Sequence, residues 1–327
     1  MQRDVAAYFE QTVIPLIAAE YPQVASEMCT QVSGSYGLEV ADGLSDLDAM
    51  IYLDDPLWRA QGGQVQLLVY RLPPFAGHFV AHCETPGDPF AWPVFGHSEI
   101  NVHPLSWLLD KQALAFLEST PDPPWGKVSI ESLYELQTNL VLRDPQGIFR
   151  QLRQATAPER YPSWLWKKLL ISKLVELKGQ PWDFEKAVAR ERMAEAQVLL
   201  GDLLKAFLQI GFIISERYYP WHKYLWFAFA ELPLAPRVLP HFQALVSSPD
   251  WRERVTALKA VISSYTEYIL GEGVLTAEVL ENLFGAKNGE AWHNPDWRDR
   301  PLVQGRKAEE AGYDPRAGWV WGLWGWA

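Results

Sequence analysis

The apolar run Ala49-Met50-Ile51-Tyr52-Leu53 has the composition of a buried strand, and Asp46-Leu47-Asp48 leads directly into it. Side chains on a strand alternate between faces, so Asp46 and Asp48 project to one side while Leu47 points to the other. Two carboxylates sharing one patch of space raise each other's pKa unless a cation lies between them. Oxygen-only ligands favour Mg²⁺, which keeps several waters and completes its shell with one or two carboxylates and a substrate phosphate. Upstream stands Gly34-Ser35. Gly34 lets the backbone approach a phosphate closely, and Ser35 offers a hydroxyl and an N–H if a helix or nest opens there. Asp-x-Asp and Gly-Ser are each common in solvated turns. Their combination, at this spacing and with an apolar strand after Asp48, predicts a turn and a strand mouth suited to a triphosphate and its Mg²⁺.

Gly34-Ser35 followed by Ser45-Asp46-Leu47-Asp48 resembles the signature of the nucleotidyltransferase-fold superfamily, which includes aminoglycoside, lincosamide and antitoxin nucleotidyltransferases. More narrowly, the chain is similar to an uncharacterised bacterial family in which such a domain is joined to a helical partner. That likeness rests on Leu142-Arg143-Asp144-Pro145-Gln146-Gly147 and on Glu216-Arg217-Tyr218-Tyr219-Pro220-Trp221-His222-Lys223-Tyr224-Leu225, and covers most of residues 1–285. The resemblance implies an α+β N-terminal domain, a mixed β-sheet with flanking helices, followed by an all-α bundle. It also implies a third carboxylate on a later strand. Glu99 is the candidate, in the alternating segment His97-Ser98-Glu99-Ile100-Asn101-Val102-His103 whose odd positions share a polar face. There it completes a metal site with Asp46 and Asp48 and takes the proton of an attacking hydroxyl. Glu84 is the rival, in the loop-like Cys83-Glu84-Thr85-Pro86-Gly87.

At 327 residues the chain accommodates two ordinary domains. The boundaries read as 1–153 for the nucleotidyltransferase-like part, 154–290 for the bundle and 291–327 for a tail rich in tryptophan. A hydrophobic fraction of 48% and a charged fraction of 21% are those of a folded chain. The net charge of −11 argues against a broad basic surface for nucleic acid and mildly favours a cationic small molecule as acceptor. Cys29 and Cys83 are the only cysteines, which fits a reducing cytoplasm. No basic-then-apolar leader and no apolar run of membrane-spanning length is read.

Val5, Phe9, Val13, Leu16 and Ile17 recur at helical spacing and predict a first helix, kinked or ended near Pro15. Strands are expected at residues 31–33, 49–53, 64–71, 79–82 and 97–103. Helices are expected at 105–117 and 130–142, then at 164–177, 183–214, 223–231, 237–246, 251–269 and 276–284, which reads as a bundle. The two halves are expected to meet over the carboxylates, as clefts between domains hold small ligands.

Phosphates need cations. Lys167, Lys168 and Lys173 open the helical part, and Lys223 follows Pro220-Trp221-His222 with Tyr219, Trp221 and Tyr224 around it. Lys223 and Tyr224 are the preferred nucleotide contacts, beside Gly34, Ser35 and Ser45; the alternative is that this aromatic segment is core. Arg217 and His222 match the Arg-x-x-x-x-His spacing of a helical RNase family, though Pro220 interrupts the helix that motif needs. His78, His82 and Cys83 lack the second ligand pair of a zinc site, and Ser33-Gly34-Ser35-Tyr36-Gly37 misses the hydrolase elbow spacing. Trp319, Trp321, Trp324 and Trp326 read as an aromatic plug folded on the chain, against a partner strand or a membrane contact. The expectation is a Mg²⁺-dependent transfer of a nucleoside monophosphate from ATP or another triphosphate to a hydroxyl, with pyrophosphate released. A non-catalytic nucleotide-binding regulator or antitoxin-like protein is the alternative.

Overall fold

The computed structural model describes residues 2–42, 45–72, 75, 79–80, 97–118 and 123–284. The chain divides into two units, Met1–Ala157 and Pro158–Ala327. The first is α+β and the described part of the second is helical.

The first unit opens with α1 (Gln2–Tyr8), a π-helical turn (Phe9–Val13), α2 (Ile14–Glu20) and α3 (Pro22–Glu27). Pro15 does not end this helical stretch; it sits at the start of α2, directly after the π-helical turn, where the regular α-helical ladder is already interrupted. Next come β1 (Cys29–Val32), the single turn α4 (Gly34–Gly37) and β2 (Leu47–Leu53). They are followed by α5 (Asp55–Leu57), a second π turn (Trp58–Gly62), α6 (Gly63–Val69), β3 (Phe79–Val80) and β4 (His97–Pro104). The unit closes with α7 (Leu108–Lys111), α8 (Ala113–Leu117), α9 (Ile130–Thr138), β5 (Leu140–Arg143) and α10 (Ile148–Ala155).

The strands form one mixed sheet in the order β3-β4-β2-β1-β5. β1 runs antiparallel to β2 and β5, while β4 runs parallel to β2 and β3. One face is apolar. Val32, Leu47, Ala49, Ile51, Leu53, Ile100 and Val102 share a core with Val5, Phe9, Val13 and Ile17 of the N-terminal helices and Val65, Leu68 and Val69 of α6. Alternation sends Asp48, Met50 and Tyr52 of β2 to the other face. In-register neighbours put Gln31 of β1 and Glu99, Asn101 and His103 of β4 there too.

Three further expectations for the first unit fail locally. Residues 64–71, predicted as a strand, lie mostly in α6: Val65, Leu68 and Val69 are buried at helical spacing while Leu67 is 61% exposed. The helix predicted over 130–142 stops at Thr138, and Leu140–Arg143 joins the sheet beside β1. The predicted helix 105–117 is broken, since Leu109, Asp110 and Lys111 all take positive φ. Asp110 is turned toward α9, where its carboxylate accepts from the Ser129 N–H at 2.6 Å and the Ser132 hydroxyl at 3.0 Å.

The second unit contains α11 (Ser163–Leu177), α12 (Gln180–Ala189), α13 (Met193–Ile214), α14 (Leu225–Phe229), α15 (Ala235–Ser247), α16 (Trp251–Gly271) and α17 (Ala277–Phe284). The helix predicted over 183–214 is two helices, separated where Glu191 adopts φ +57°. Phe207, Phe212, Phe229, Phe242 and Tyr265 form an aromatic core in which the Tyr265 hydroxyl donates to the Phe207 carbonyl at 2.7 Å. Gly211 belongs to this packing: a Cβ there would lie 2.3 Å from Phe229 Cε2. By length and composition α13 is apolar enough to cross a membrane, a property not anticipated from the sequence, but 61% of its most apolar window is buried. Leu200, Leu203, Phe207 and Ile210 mark it as a core helix of its unit.

Candidate active site on the polar sheet face

β1 leaves the sheet at Val32 and turns directly into α4. The Ser33 N–H donates to the Asp48 carbonyl at 2.8 Å, adding one rung to the ladder beyond Val32 and Ala49. Two glycines make the turn possible. Gly34 has φ +63°, the left-handed region that favours glycine, and a Cβ on Gly37 would lie 2.5 Å from the Val32 carbonyl oxygen. The predicted Gly34-Ser35 turn is thereby tied, through Ser33, to the backbone of Asp48. Tyr36 is buried between turn and core with its ring 5.6 Å from that of Phe75. Burial, then the carboxylates of Asp4, Asp42 and Asp46, raise the pKa of its hydroxyl.

The loop before β2 is closed by Ser45. Its hydroxyl donates to Asp42 Oδ1 at 2.9 Å and accepts from the Asp42 N–H at 2.8 Å. Ser45 was expected to contact nucleotide; its hydroxyl is engaged in shaping the loop that delivers Asp46.

Asp48 and Glu99 are direct register partners on the parallel strands β2 and β4. Opposite residues on neighbouring strands share a face, so the two carboxylates stand side by side, both half-buried. Asp46 lies just before the first residue of β2 and is also half-buried. Among the described residues, no three His, Cys, Asp or Glu side chains are gathered as a ready metal cage. The donor set fits Mg²⁺ in a more limited sense: it is all oxygen, and two neighbouring carboxylates meet the protein's usual share of that ion's ligands.

Away from the carboxylates the same face becomes drier. Gln31 is 4% exposed and donates through Nε2 to the Tyr52 hydroxyl at 3.3 Å. Burial pushes the Tyr52 hydroxyl far above its ordinary range and lowers the pKa of His103. His103 stacks on Trp107 at 4.9 Å between ring centroids. Cys29 is fully buried, and its thiol is pushed up to about 12 by burial and then by neighbouring Asp144. Both effects hold it in the thiol form, the less reactive one.

The outer edge of β4 is finished by side chains. Among the described residues, β3 pairs with β4 at His97 and Ser98 alone. Beyond them, Gln66 Nε2 donates to the Ile100 carbonyl at 2.9 Å, and Gln66 Oε1 accepts from the Val102 N–H at 2.7 Å. Trp58 Nε1 adds a bond to the Val102 carbonyl at 3.3 Å. The Trp58 ring lies against Gly62, where a Cβ would come within 2.5 Å of it. Nothing in the sequence singles out Gln66: a strand over 64–71 would not bring its amide to the edge of β4, whereas α6 does.

In the second unit, Lys223 is exposed and its Nζ lies 4.9 Å from the centroid of the Tyr224 ring. Trp221 beside it is 52% exposed. Tyr219 departs from expectation: it is 1% exposed and packs on Phe212 in the core, so it is no part of the surface around Lys223. Lys167 is exposed and Lys168 half-buried. Lys173 is only 3% exposed, with its Nζ 2.9 Å from Oε2 of the exposed Glu176, so it is a paired and not an open cation. Arg217 and His222 share no helix, because α13 ends at Ile214 and a 3-10 turn begins at His222, so the RNase-like spacing lacks its required geometry. His78, His82, Cys83, Glu84 and the tryptophans of the tail lie outside the described residues.

Fold and site together define a two-unit protein whose α+β unit carries paired carboxylates on the polar face of a mixed sheet. Residues 125–226 match the family model of a domain of unknown function (DUF4037). The matched segment runs from the end of the first unit into the second and includes Lys223 and Tyr224, while Gly34, Ser35, Asp46, Asp48 and Glu99 precede it. The chain matches no curated protein.

Proposed function

We propose that the first unit is a nucleotidyltransferase-like domain that transfers a nucleoside monophosphate from ATP or another triphosphate to a hydroxyl, releasing pyrophosphate. One observation carries the reading: Asp48 and Glu99 occupy the same register position on adjacent parallel strands, and the Gly34-Ser35 turn is hydrogen-bonded to the backbone of Asp48 through Ser33. Asp48 and Glu99, joined by Asp46, would hold Mg²⁺. When bound, the ion supplies neutralisation of phosphate charge. Glu99 is the group to accept the proton of the incoming hydroxyl, while the turn at Gly34 and Ser35 offers a close backbone approach to phosphate oxygens. The acidity of the chain favours a cationic small-molecule acceptor.

The test is incubation of the full chain with labelled ATP and Mg²⁺ across a panel of hydroxyl acceptors, following pyrophosphate and the mass of each acceptor. Release that vanishes in Asp48→Asn and Glu99→Gln is expected. A second reading, a nucleotide-binding regulator or antitoxin-like protein without turnover, draws support from the absence of a three-ligand cage among the described residues. Nucleotide binding with no pyrophosphate from any acceptor would favour it.

A further inference from the structure

We propose that Gln66 is a positioning residue for Glu99, acting through the outer edge of β4; the inference rests on the nucleotidyltransferase reading of the carboxylate pair. Glu99 sits where the support of β4 changes hands. Before it, Ser98 pairs with Val80 of β3; after it, Ile100 and Val102 are held by the Gln66 amide. One primary amide contributes a donor and an acceptor, so it satisfies a C=O and an N–H on the same strand as a neighbouring strand would. The inner edge of β4 is paired with β2 in the register that sets Glu99 beside Asp48. Gln66 therefore fixes the strand from the outside at the residues immediately following Glu99, where no strand pairing is present to do so among the described residues.

The device is built in layers. Val65, Leu68 and Val69 anchor α6 in the core, which turns Gln66 toward the strand edge. Gly62 lets the Trp58 ring lie flat on its own helical turn, from which Nε1 reaches the Val102 carbonyl. Farther along, Asp55 Oδ2 accepts from the Ser106 N–H at 3.2 Å and ties down the chain just past β4. A backbone that cannot drift keeps a metal-facing carboxylate at fixed distance from its partner, and losing a support that orients a ligand typically costs about 10- to 100-fold in metal affinity.

The decisive variant is Gln66→Met, which fills similar space without donor or acceptor; Trp58→Phe, which removes the Nε1 bond and trims the ring while leaving the Gln66 amide in place, is the companion should the first fold poorly. Two readouts are taken on the full chain: hydrogen exchange at the Val102 amide, and the Mg²⁺ concentration that half-saturates ATP binding by calorimetry. Gln66→Met is expected to speed exchange at Val102 and raise the Mg²⁺ requirement about 10- to 100-fold, with Mg²⁺-free ATP binding unchanged. Trp58→Phe is expected to move both in the same direction by less. A wild type that binds ATP equally with and without Mg²⁺, and is matched by Asp48→Asn, sinks the nucleotidyltransferase reading and this inference with it. A wild type whose binding needs Mg²⁺ and Asp48, alongside folded Gln66 and Trp58 variants that keep its Mg²⁺ requirement, overturns the role of Gln66 alone.

Discussion

Replacing Gly37 by alanine sets a single methyl group against the backbone of the turn that leads into the candidate site. The added Cβ would stand 2.5 Å from the Val32 carbonyl oxygen and 3.1 Å from its carbonyl carbon. Both are main-chain atoms of β1, so no side chain can swing aside to relieve the contact. Either α4 lifts from the strand end or β1 bends away from β2. Forcing extra carbon into a packed site costs about 1–3 kcal/mol, and a rigid obstacle places Gly37→Ala toward the upper end. For a unit of this size each kcal/mol lowers the unfolding midpoint by about 2–4 °C, so a loss of about 5–10 °C is expected. Gly63→Ala supplies the opposite sign. Gly63 has helical φ, and a Cβ there meets nothing within 4 Å. That substitution removes only unfolded-state freedom and should stabilise by about 0.4–1 kcal/mol. Thermal unfolding of both variants followed by circular dichroism decides the matter. Equal midpoints for Gly37→Ala and wild type would refute the claim that the turn is sterically locked to β1.

Asp48→Asn is expected to lower pyrophosphate release at least about a hundredfold while leaving the unfolding midpoint near that of wild type, checked by rate assay and thermal melt. Arg153→Met leaves the Leu136 and Asn139 carbonyls at the end of α9 without the guanidinium that now reaches both, and should cost about 1–3 kcal/mol by denaturant titration. The Cys29 thiol, buried and pushed up to about 12, should resist alkylation at pH 8 in the folded protein and react once urea unfolds it, read by mass. Burial lowers the pKa of His103, so the unfolded chain takes up its proton first. Stability is then held above the ordinary histidine pKa and lost as pH falls through it toward the folded value, and His103→Asn should flatten that slope in melts between pH 7.5 and 5.5.

What the sequence makes legible follows from periodicity. β4 alternates, with Ile100 and Val102 inward and Glu99 outward, and β2 is an apolar run opened by Asp48, so both strands and the sidedness of their acids can be read from residue order. The pairing of Asp48 with Glu99 cannot, because it depends on which strands become neighbours across a long stretch of chain. α6 resists reading for a related reason: Gln64-Val65-Gln66 imitates a half-buried strand, and only the burial of Leu68 and Val69 beside an exposed Leu67 shows the longer period. β5 hides in the tail of a helical pattern; its four residues are decided by the open edge of β1 and not by local preference. Tyr219 illustrates a different limit. Aromatic residues line surfaces and fill interiors alike, and in Tyr218-Tyr219-Pro220-Trp221 the first two go inside while the last stays out.

The parallel pairing of β2 with β4 binds together two properties that mutation would otherwise be free to separate. Ile100 is seated in the apolar layer directly after Glu99, so a frame shift of one residue would carry a charged group into the hydrophobic interior and expel the isoleucine. Loss of the acidic pair by slippage is therefore penalised as a folding defect before it is felt as a chemical one, and any lineage of this chain that stays folded by the same strand phase inherits the juxtaposition along with it.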